Sequence, residues 1–167
     1  KELEGKFLAG MEEYYRGKPI QYIKGVETFF GRDFKVNENV LIPRYETEEL
    51  VENILYRIDD YFADYEKITL CDVGTGSGAI ATSLALEEPR LQVYATDISH
   101  EAVEVAKDNA KSLKAEVEFL IGDMLQPLLE KKIKVDIFVS NPPYIPQEQK
   151  IEAMVKDNEP HVALFGG

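Results

Sequence analysis

The spacing of apolar residues changes several times along this chain, and each change marks a new element. Over residues 2–16, Leu3, Phe7, Leu8, Met11, Tyr14 and Tyr15 recur at helical spacing, and the run stops at Gly17 with Pro19 just beyond. This predicts an amphipathic helix, read as the last helix of a domain lying upstream, with Tyr14 and Tyr15 as packing residues. Over residues 20–40 the pattern shortens to two β-rich runs, 26–30 and 33–36, joined across Gly31-Arg32, which predicts a hairpin. Leu41-Ile42-Pro43-Arg44 then forms a stiff connector into a second helix. Thr47 is its expected N-cap, Glu48 and Glu49 complement the helix dipole, and Leu50, Val51, Ile54, Leu55, Ile58 and Phe62 supply a buried stripe.

From Ile68 onward short apolar runs alternate with helical stretches. Strands are predicted at 68–73, 91–96, 117–121 and 135–140. A short helix at 79–88 is stopped by Pro89, and a longer one is capped by Ser99 and runs to about residue 113. Alternation of this kind predicts an α/β fold built on a doubly wound parallel sheet, preceded by a helix and a β-hairpin. The last strand is expected at the sheet edge. A bare apolar edge invites aggregation and native folds cover it, so further C-terminal strands are expected to be missing. The division that follows is 1–18 as a terminal helix of an N-terminal helical domain, 19–40 as a hairpin linker, and 41–167 as the catalytic domain.

Composition narrows the class. The chain has 167 residues, 44% of them apolar and 30% charged, as in a soluble globular domain. No apolar run is long enough to span a bilayer, and Lys1-Glu2-Leu3-Glu4 does not start a signal peptide, so no membrane partner is expected. The single cysteine, Cys71, lies inside an apolar strand and reads as a packed thiol, while His100 and His161 are too far apart in sequence to suggest a zinc site. A cytoplasmic location is therefore expected. Thirty-one acidic residues against nineteen basic ones give a net charge of −12. Proteins that grip a phosphate backbone do so by neutralising it, and Lys131-Lys132 with Lys134 is the nearest approach to a basic stripe. Nucleic acid is thus not expected as the direct partner.

Two motifs carry chemistry. Strand 68–73 runs into Gly74-Thr75-Gly76-Ser77-Gly78-Ala79, where glycines permit a sharp turn and close approach of a ligand to a helix N-terminus. Asp97 stands at the tip of the next strand, nineteen residues past Gly78, placed to accept from both hydroxyls of a ribose. At the third tip, Gly122-Asp123-Met124 would border a base, with Asp123 at an adenine amine and Met124 against its face; Asp123 also reads as a helix cap. Taken alone, the loop fits a nicotinamide dinucleotide as well as a sulfonium donor. The second motif tips the balance. Asn141-Pro142-Pro143-Tyr144 follows the fourth strand, at the sheet edge where α/β ligands bind. Two prolines make that corner stiff and free its carbonyls, Asn141 adds a carboxamide, and Tyr144 offers a flat ring. This combination suits a planar –NH2 group, which hydride chemistry does not require. Asp72, two residues before the loop, is expected to receive the ammonium end of a methionine moiety. The cofactor expected is therefore S-adenosyl-L-methionine. Arg44, Glu46 and Thr47 read either as a flap over the donor or as an ion pair and a cap, and Phe29 and Phe30 either as a roof over the adenosine or, the favoured reading, as hairpin core.

On these residues the chain resembles the HemK/PrmC family of release factor glutamine-N5 methyltransferases. The likeness takes in Pro19-Ile20-Gln21-Tyr22-Ile23-Lys24-Gly25, Leu41-Ile42-Pro43-Arg44 with Glu46-Thr47-Glu48, the glycine loop, Asn141-Pro142-Pro143-Tyr144-Ile145, and Glu159-Pro160 with Ala163-Leu164-Phe165-Gly166-Gly167. Tyr45 departs from the family, where Pro is expected. The resemblance implies a class I, Rossmann-like S-adenosylmethionine-dependent methyltransferase that modifies glutamine of a Gly-Gly-Gln motif in peptide chain release factors. It further implies that Gly74, Thr75, Gly76, Ser77, Gly78, Asp97, Met124 and Asn141 contact the donor. Asn141, Pro142, Pro143 and Tyr144 would hold the glutamine, with Asn141, Pro142 and Tyr144 catalytic. Amino-methylation of adenine or guanine in nucleic acid is the competing reading, because those bases present the same planar amine.

Overall fold

The computed structural model describes residues 2–143, 145–146 and 158–166. Helix α1 spans Glu2–Tyr15 and the single-turn α2 spans Ile20–Lys24, followed by hairpin strands β1 (Val26–Phe29) and β2 (Arg32–Lys35). The hairpin turn falls on Phe30-Gly31, one residue earlier than expected. Both residues have positive φ, 49° and 71°, and that pairing matches the right-handed twist of the flanking strands. Helix α2 was not evident in the sequence, because one turn is too short to show a period. It starts after Pro19 and stops at Gly25, which takes the left-handed conformation with φ 72°. Its Tyr22 is buried and donates its hydroxyl to the Val40 carbonyl at 2.6 Å.

The expected face of α1 packs on little. Leu3, Phe7, Leu8, Tyr14 and Tyr15 are all exposed, Tyr15 at 80%. Tyr14 and Tyr15, read as packing residues, are thus exposed here, and their rings meet edge to face with centroids 6.3 Å apart.

The connector ends in a 3-10 turn, Tyr45–Thr47, which leads into α3, Glu48–Tyr61. The sheet layer then follows as β3 (Ile68–Val73), α4 (Ala79–Glu87), β4 (Leu91–Asp97), α5 (His100–Leu113), β5 (Val117–Ile121), α6 (Gln126–Glu130) and β6 (Ile137–Ser140), the expected order with α6 added. All four strands are parallel in the order β5-β4-β3-β6, so the chain winds outward in both directions from β3. Strand β6 is the edge, as expected, and Phe138 on it is exposed. It begins two residues later than the apolar run because Asp136 replaces the first rung: its amide donates to Thr69 O and its carboxylate accepts from Thr69 N, each at 2.8 Å. A short ladder pairs β7 (Ile145–Pro146) with β8 (Phe165–Gly166), which follows α7 (His161–Leu164).

Alternation along the strands feeds two cores. Leu70, Val93, Ala95 and Val139 face one side, where they meet Val51 of α3 and Ile80, Ala81 and Leu84 of α4. Phe29 and Phe34 of the hairpin join this same cluster and are essentially inaccessible. Cys71, Val73 and Tyr94 face the other side against Leu128 of α6. Covering both faces requires the near-continuous apolar strands seen in the sequence. Burial pushes the Cys71 thiol up to about 12, with Asp72 adding to the shift, so it is a packing residue.

Candidate active site

The glycine loop is wired to the strand tips beneath it. The amides of Gly74 and Thr75 both donate to the Thr96 carbonyl, at 2.9 and 3.0 Å. Gly76 N donates to Asp97 Oδ2 at 2.8 Å, and Gly78 N donates to Thr75 O at 2.9 Å. Gly78 opens α4 with φ 78°, and a Cβ there would lie 2.9 Å from the Ala106 Cβ, so only glycine lets α4 approach α5 this closely.

Asp72 does not stand where the sequence suggested. It is fully buried under the loop, so no ligand ammonium touches it directly. Its Oδ2 accepts from the Thr75 hydroxyl at 2.6 Å, while Oδ1 has no hydrogen-bond partner. Burial raises its carboxyl to about 6, with the Thr75 hydroxyl and Ala81 amide pulling the other way and Asp97 adding a smaller upward push. The result is an incompletely satisfied acid directly below the ligand-facing turn.

Asp97 lies half-buried at the β4 tip. Oδ2 holds Gly76 and Oδ1 accepts from Ser99 N at 3.0 Å, leaving further lone pairs on both oxygens. Ser99 is the N-cap of α5, accepting from Ala102 N at 3.1 Å. Asp123 and Met124 are exposed beyond the β5 tip. Asp123 is not the cap of α6, a place taken by Leu125; its carbonyl accepts from Gln126 N instead. Met124 has φ 49°, and its carbonyl accepts from Thr96 Oγ1 at 2.9 Å, which ties this turn back to β4. Gly122 is required there because a Cβ would strike Pro127 at 2.5 Å.

The second motif lies opposite the loop. A small recess of about 60 Å3 is bounded by Gly74, Thr75, Gly76, Ser77 and Asn141, with Phe29, Arg44 and Thr47 also on its wall. A larger cleft of about 560 Å3 adjoins it, lined by Asn141, Pro142, Pro143, Leu50, Ala163 and Leu164 among others. Leu41, Arg44, Thr47 and Asn141 border both. Tyr144 lies outside the described residues.

Three residues matter here in ways the sequence did not reveal. Thr47 sits inside helical geometry, φ −74° and ψ −17°, and makes no cap bond. Its hydroxyl is instead the neighbour of Asn141, whose Nδ2 donates to it at 3.4 Å, turning the carboxamide oxygen away from Thr47. Glu159 is 99% buried at the side chain, where it accepts from Arg44 at 2.5 Å and from Ile42 N at 3.2 Å. It thereby staples the tail segment to the connector. Asn109 of α5, also buried, reaches the glycine loop from behind. None of these contacts has a local sequence signal, since they join positions 32 to 117 residues apart.

A parallel sheet ordered about its first strand, with a glycine turn after that strand and a polar corner after the fourth, is the arrangement of nucleotide-binding α/β domains, in which ligands bind at the strand tips. The sequence profile of the Methyltransferase small domain matches residues 53–162, and the chain belongs to that family. It is 52% identical to the release factor glutamine methyltransferase of Bacillus anthracis over 99% of its length, and 48% identical to that of Bacillus subtilis over 97%. It spans 59% and 57% of the length of those two relatives. Among solved structures, a SAM-dependent methyltransferase from Agrobacterium tumefaciens shares the fold at 15% identity, with a TM-score of 0.57 over 71% of this chain and 39% of that one. Among the described residues no helix is long and apolar enough to cross a membrane.

Proposed function

We propose that this chain carries the catalytic domain of a protein methyltransferase that takes S-adenosylmethionine as donor and modifies the side-chain amide nitrogen of glutamine in the Gly-Gly-Gln motif of peptide chain release factors. The observation that carries this reading is the double position of Asn141, on the wall of the glycine-lined recess and on the wall of the larger cleft. One carboxamide thus faces donor and acceptor together. The names of the curated relatives support the glutamine substrate. Residues 41–167 would hold the chemistry, with 19–40 as the hairpin beside it and 1–18 as a helix of a preceding helical region. A release-factor substrate would place the work in the cytoplasm, without nucleic acid as the direct partner.

At about 60 Å3 the recess takes only one end of such a donor, and its chemistry suits that end. The loop glycines leave it open to close backbone approach, and the orphaned Asp72 Oδ1 makes the ground beneath it electronegative, which favours a cationic ligand. Thr75, Gly76 and Ser77 would hold the methionine end, and Asp97, Asp123 and Met124 the nucleoside along the strand tips. When bound, S-adenosylmethionine supplies an electrophilic methyl group.

A carboxamide nitrogen is a weak nucleophile because its lone pair is delocalised into its carbonyl. Two N–H···O bonds, to Asn141 Oδ1 and the Pro142 carbonyl, localise that pair and aim it at the recess. As the nitrogen gains positive charge those acceptors bind more strongly, so their stabilisation is greatest in the transition state. Thr47 holds Asn141 in the amide orientation that presents oxygen. The diproline corner cannot relax, which keeps the nitrogen at the near-attack separation of roughly 3–3.5 Å. Tyr144, outside the described residues, is the ring proposed to stack on the amide plane, and the departing proton passes to water.

Radiolabelled methyl transfer by the full-length protein tests this directly, offering a release factor, the same factor with its Gly-Gly-Gln glutamine replaced by alanine, DNA and RNA. Label is expected in the unaltered release factor alone. Label in DNA or RNA would overturn the reading in favour of base amino-methylation.

A further inference from the structure

Asn109 spends its whole hydrogen-bonding capacity of two donors on elements distant in sequence. Its Nδ2 donates to the Ser77 carbonyl of the glycine loop at 2.9 Å and to the Lys35 carbonyl of β2 at 3.0 Å. Its Oδ1 accepts from Lys35 N at 2.8 Å. Lys35 belongs to the outer strand of a two-stranded ribbon, and this pair of bonds makes the Asn109 amide act as one residue of a third strand. The side chain is 1% exposed, so an unmet polar atom there would stay unmet.

The other bonds to the loop come from β3 and β4, directly below it. Asn109 alone, among the described side chains, ties it to the hairpin. The hairpin in turn sets Phe29 on the wall of the recess that Gly74 and Ser77 also line, and it is anchored at its other end where Phe30 N donates to Glu48 Oε1 at 2.8 Å. Packing of Phe29 and Phe34 holds the hairpin on the core, and this amide adds the hydrogen-bonded link that ties it to the loop and so helps set the width of the recess.

We propose that Asn109 is a positioning residue for the methyl donor: it sets the distance between the Ser77 side of the glycine loop and the Phe29 side of the hairpin. This rests on the reading of the recess as the donor site. No other side chain of similar size substitutes. Aspartate keeps the Lys35 N–H bond but turns its one remaining oxygen toward two carbonyls, and leucine loses all three bonds.

The test compares Asn109→Asp and Asn109→Leu with Val103→Ala, a fully buried position on the same helix whose side chain has no polar atom to bond loop or hairpin. S-adenosylhomocysteine binding is titrated by calorimetry on the full-length protein, and amide exchange is followed at Lys35 and Gly76. We expect Asn109→Asp to weaken binding by about tenfold, the equivalent of two ordinary hydrogen bonds, and to speed exchange at Gly76, and Asn109→Leu to speed it at Lys35 as well. At saturating donor, turnover should return to near the wild-type value, whereas Val103→Ala lowers the melting temperature and leaves the dissociation constant alone. If Asn109→Leu does not fold, Asn109→Asp decides the question. Binding within twofold of wild type in folded Asn109→Asp, or an equal loss of affinity in Val103→Ala, overturns the proposal. A wild-type protein that does not bind S-adenosylhomocysteine overturns the donor reading instead, and the exchange rates then decide separately whether Asn109 holds the loop.

Discussion

The two walls of the site are built in opposite ways. The glycine loop draws on the strands directly beneath it, its amides donating to Thr96 and Asp97 of β4 and to Thr75 within the loop, and the Thr75 hydroxyl to Asp72 of β3. The opposite wall gathers segments from residues 41–50, 141–143 and 158–164, and three polar contacts hold it: Arg44 to Glu159, Ile42 N to Glu159, and Asn141 to Thr47. A wall of the first kind is preformed and strained only where glycine is required. A wall of the second kind depends on a few long-range bonds, so it is open to change one contact at a time. Donor binding and substrate binding should accordingly respond to different mutations.

Asn141→Ala makes the sharpest test of that separation. It removes the acceptor that strengthens as charge develops, and by analogy with loss of one oxyanion-hole donor kcat should fall about 100-fold or more. Titrated affinity for S-adenosylhomocysteine should stay within a few-fold. Equal losses in both measurements would mean that the two walls are one site.

Glu159→Ala should act more moderately and on the opposite wall only. It leaves the Ile42 amide buried without a partner and releases a half-exposed Arg44, for a stability loss of roughly 1–3 kcal/mol in chemical denaturation. The KM for the release factor is expected to rise while donor affinity holds. A change in donor affinity larger than the change in KM would contradict the division.

The smallest effect concerns Asp72 and probes the preformed wall through pH. Its folded value, about 6, lies above the ordinary 3.8, so the folded chain binds this proton more tightly than the unfolded one. The stabilisation is complete below about pH 4 and is lost as pH rises through about 6. Asp72→Asn should therefore be more stable than wild type at pH 7.5, by on the order of 1–3 kcal/mol, with the difference closing near pH 4.5. Thermal melts at the two pH values check this. Donor affinity should fall several-fold in the same variant, because the charge below the loop is gone; unchanged affinity would separate Asp72 from cation binding.

Much of this architecture was visible in the sequence, and unevenly so. Strands 68–73 and 117–121 were bounded to the residue because continuous apolar runs with turn residues at each end admit few other solutions. The Ser99 cap was equally plain, since a cap is a bond between neighbours. Helices α2 and α6 were missed, being five residues each and held by burial of Tyr22 and of Pro127 with Leu128. Thr47 misled for a related reason: threonine before two glutamates looks like a cap, and its bond to a residue 94 positions away leaves no local trace. The apolar stripe on α1 gave the helix correctly, but periodicity says nothing about what covers a face.

Cys71 lies on the central strand with no accessible surface, and it is the protein's only thiol over these 167 residues. An alkylating reagent can meet it only when β3 parts from its neighbours, and its high pKa suppresses the thiolate until then. The rate of labelling under native conditions thus becomes a clock for rare openings of the sheet, read at a single atom without engineering a probe.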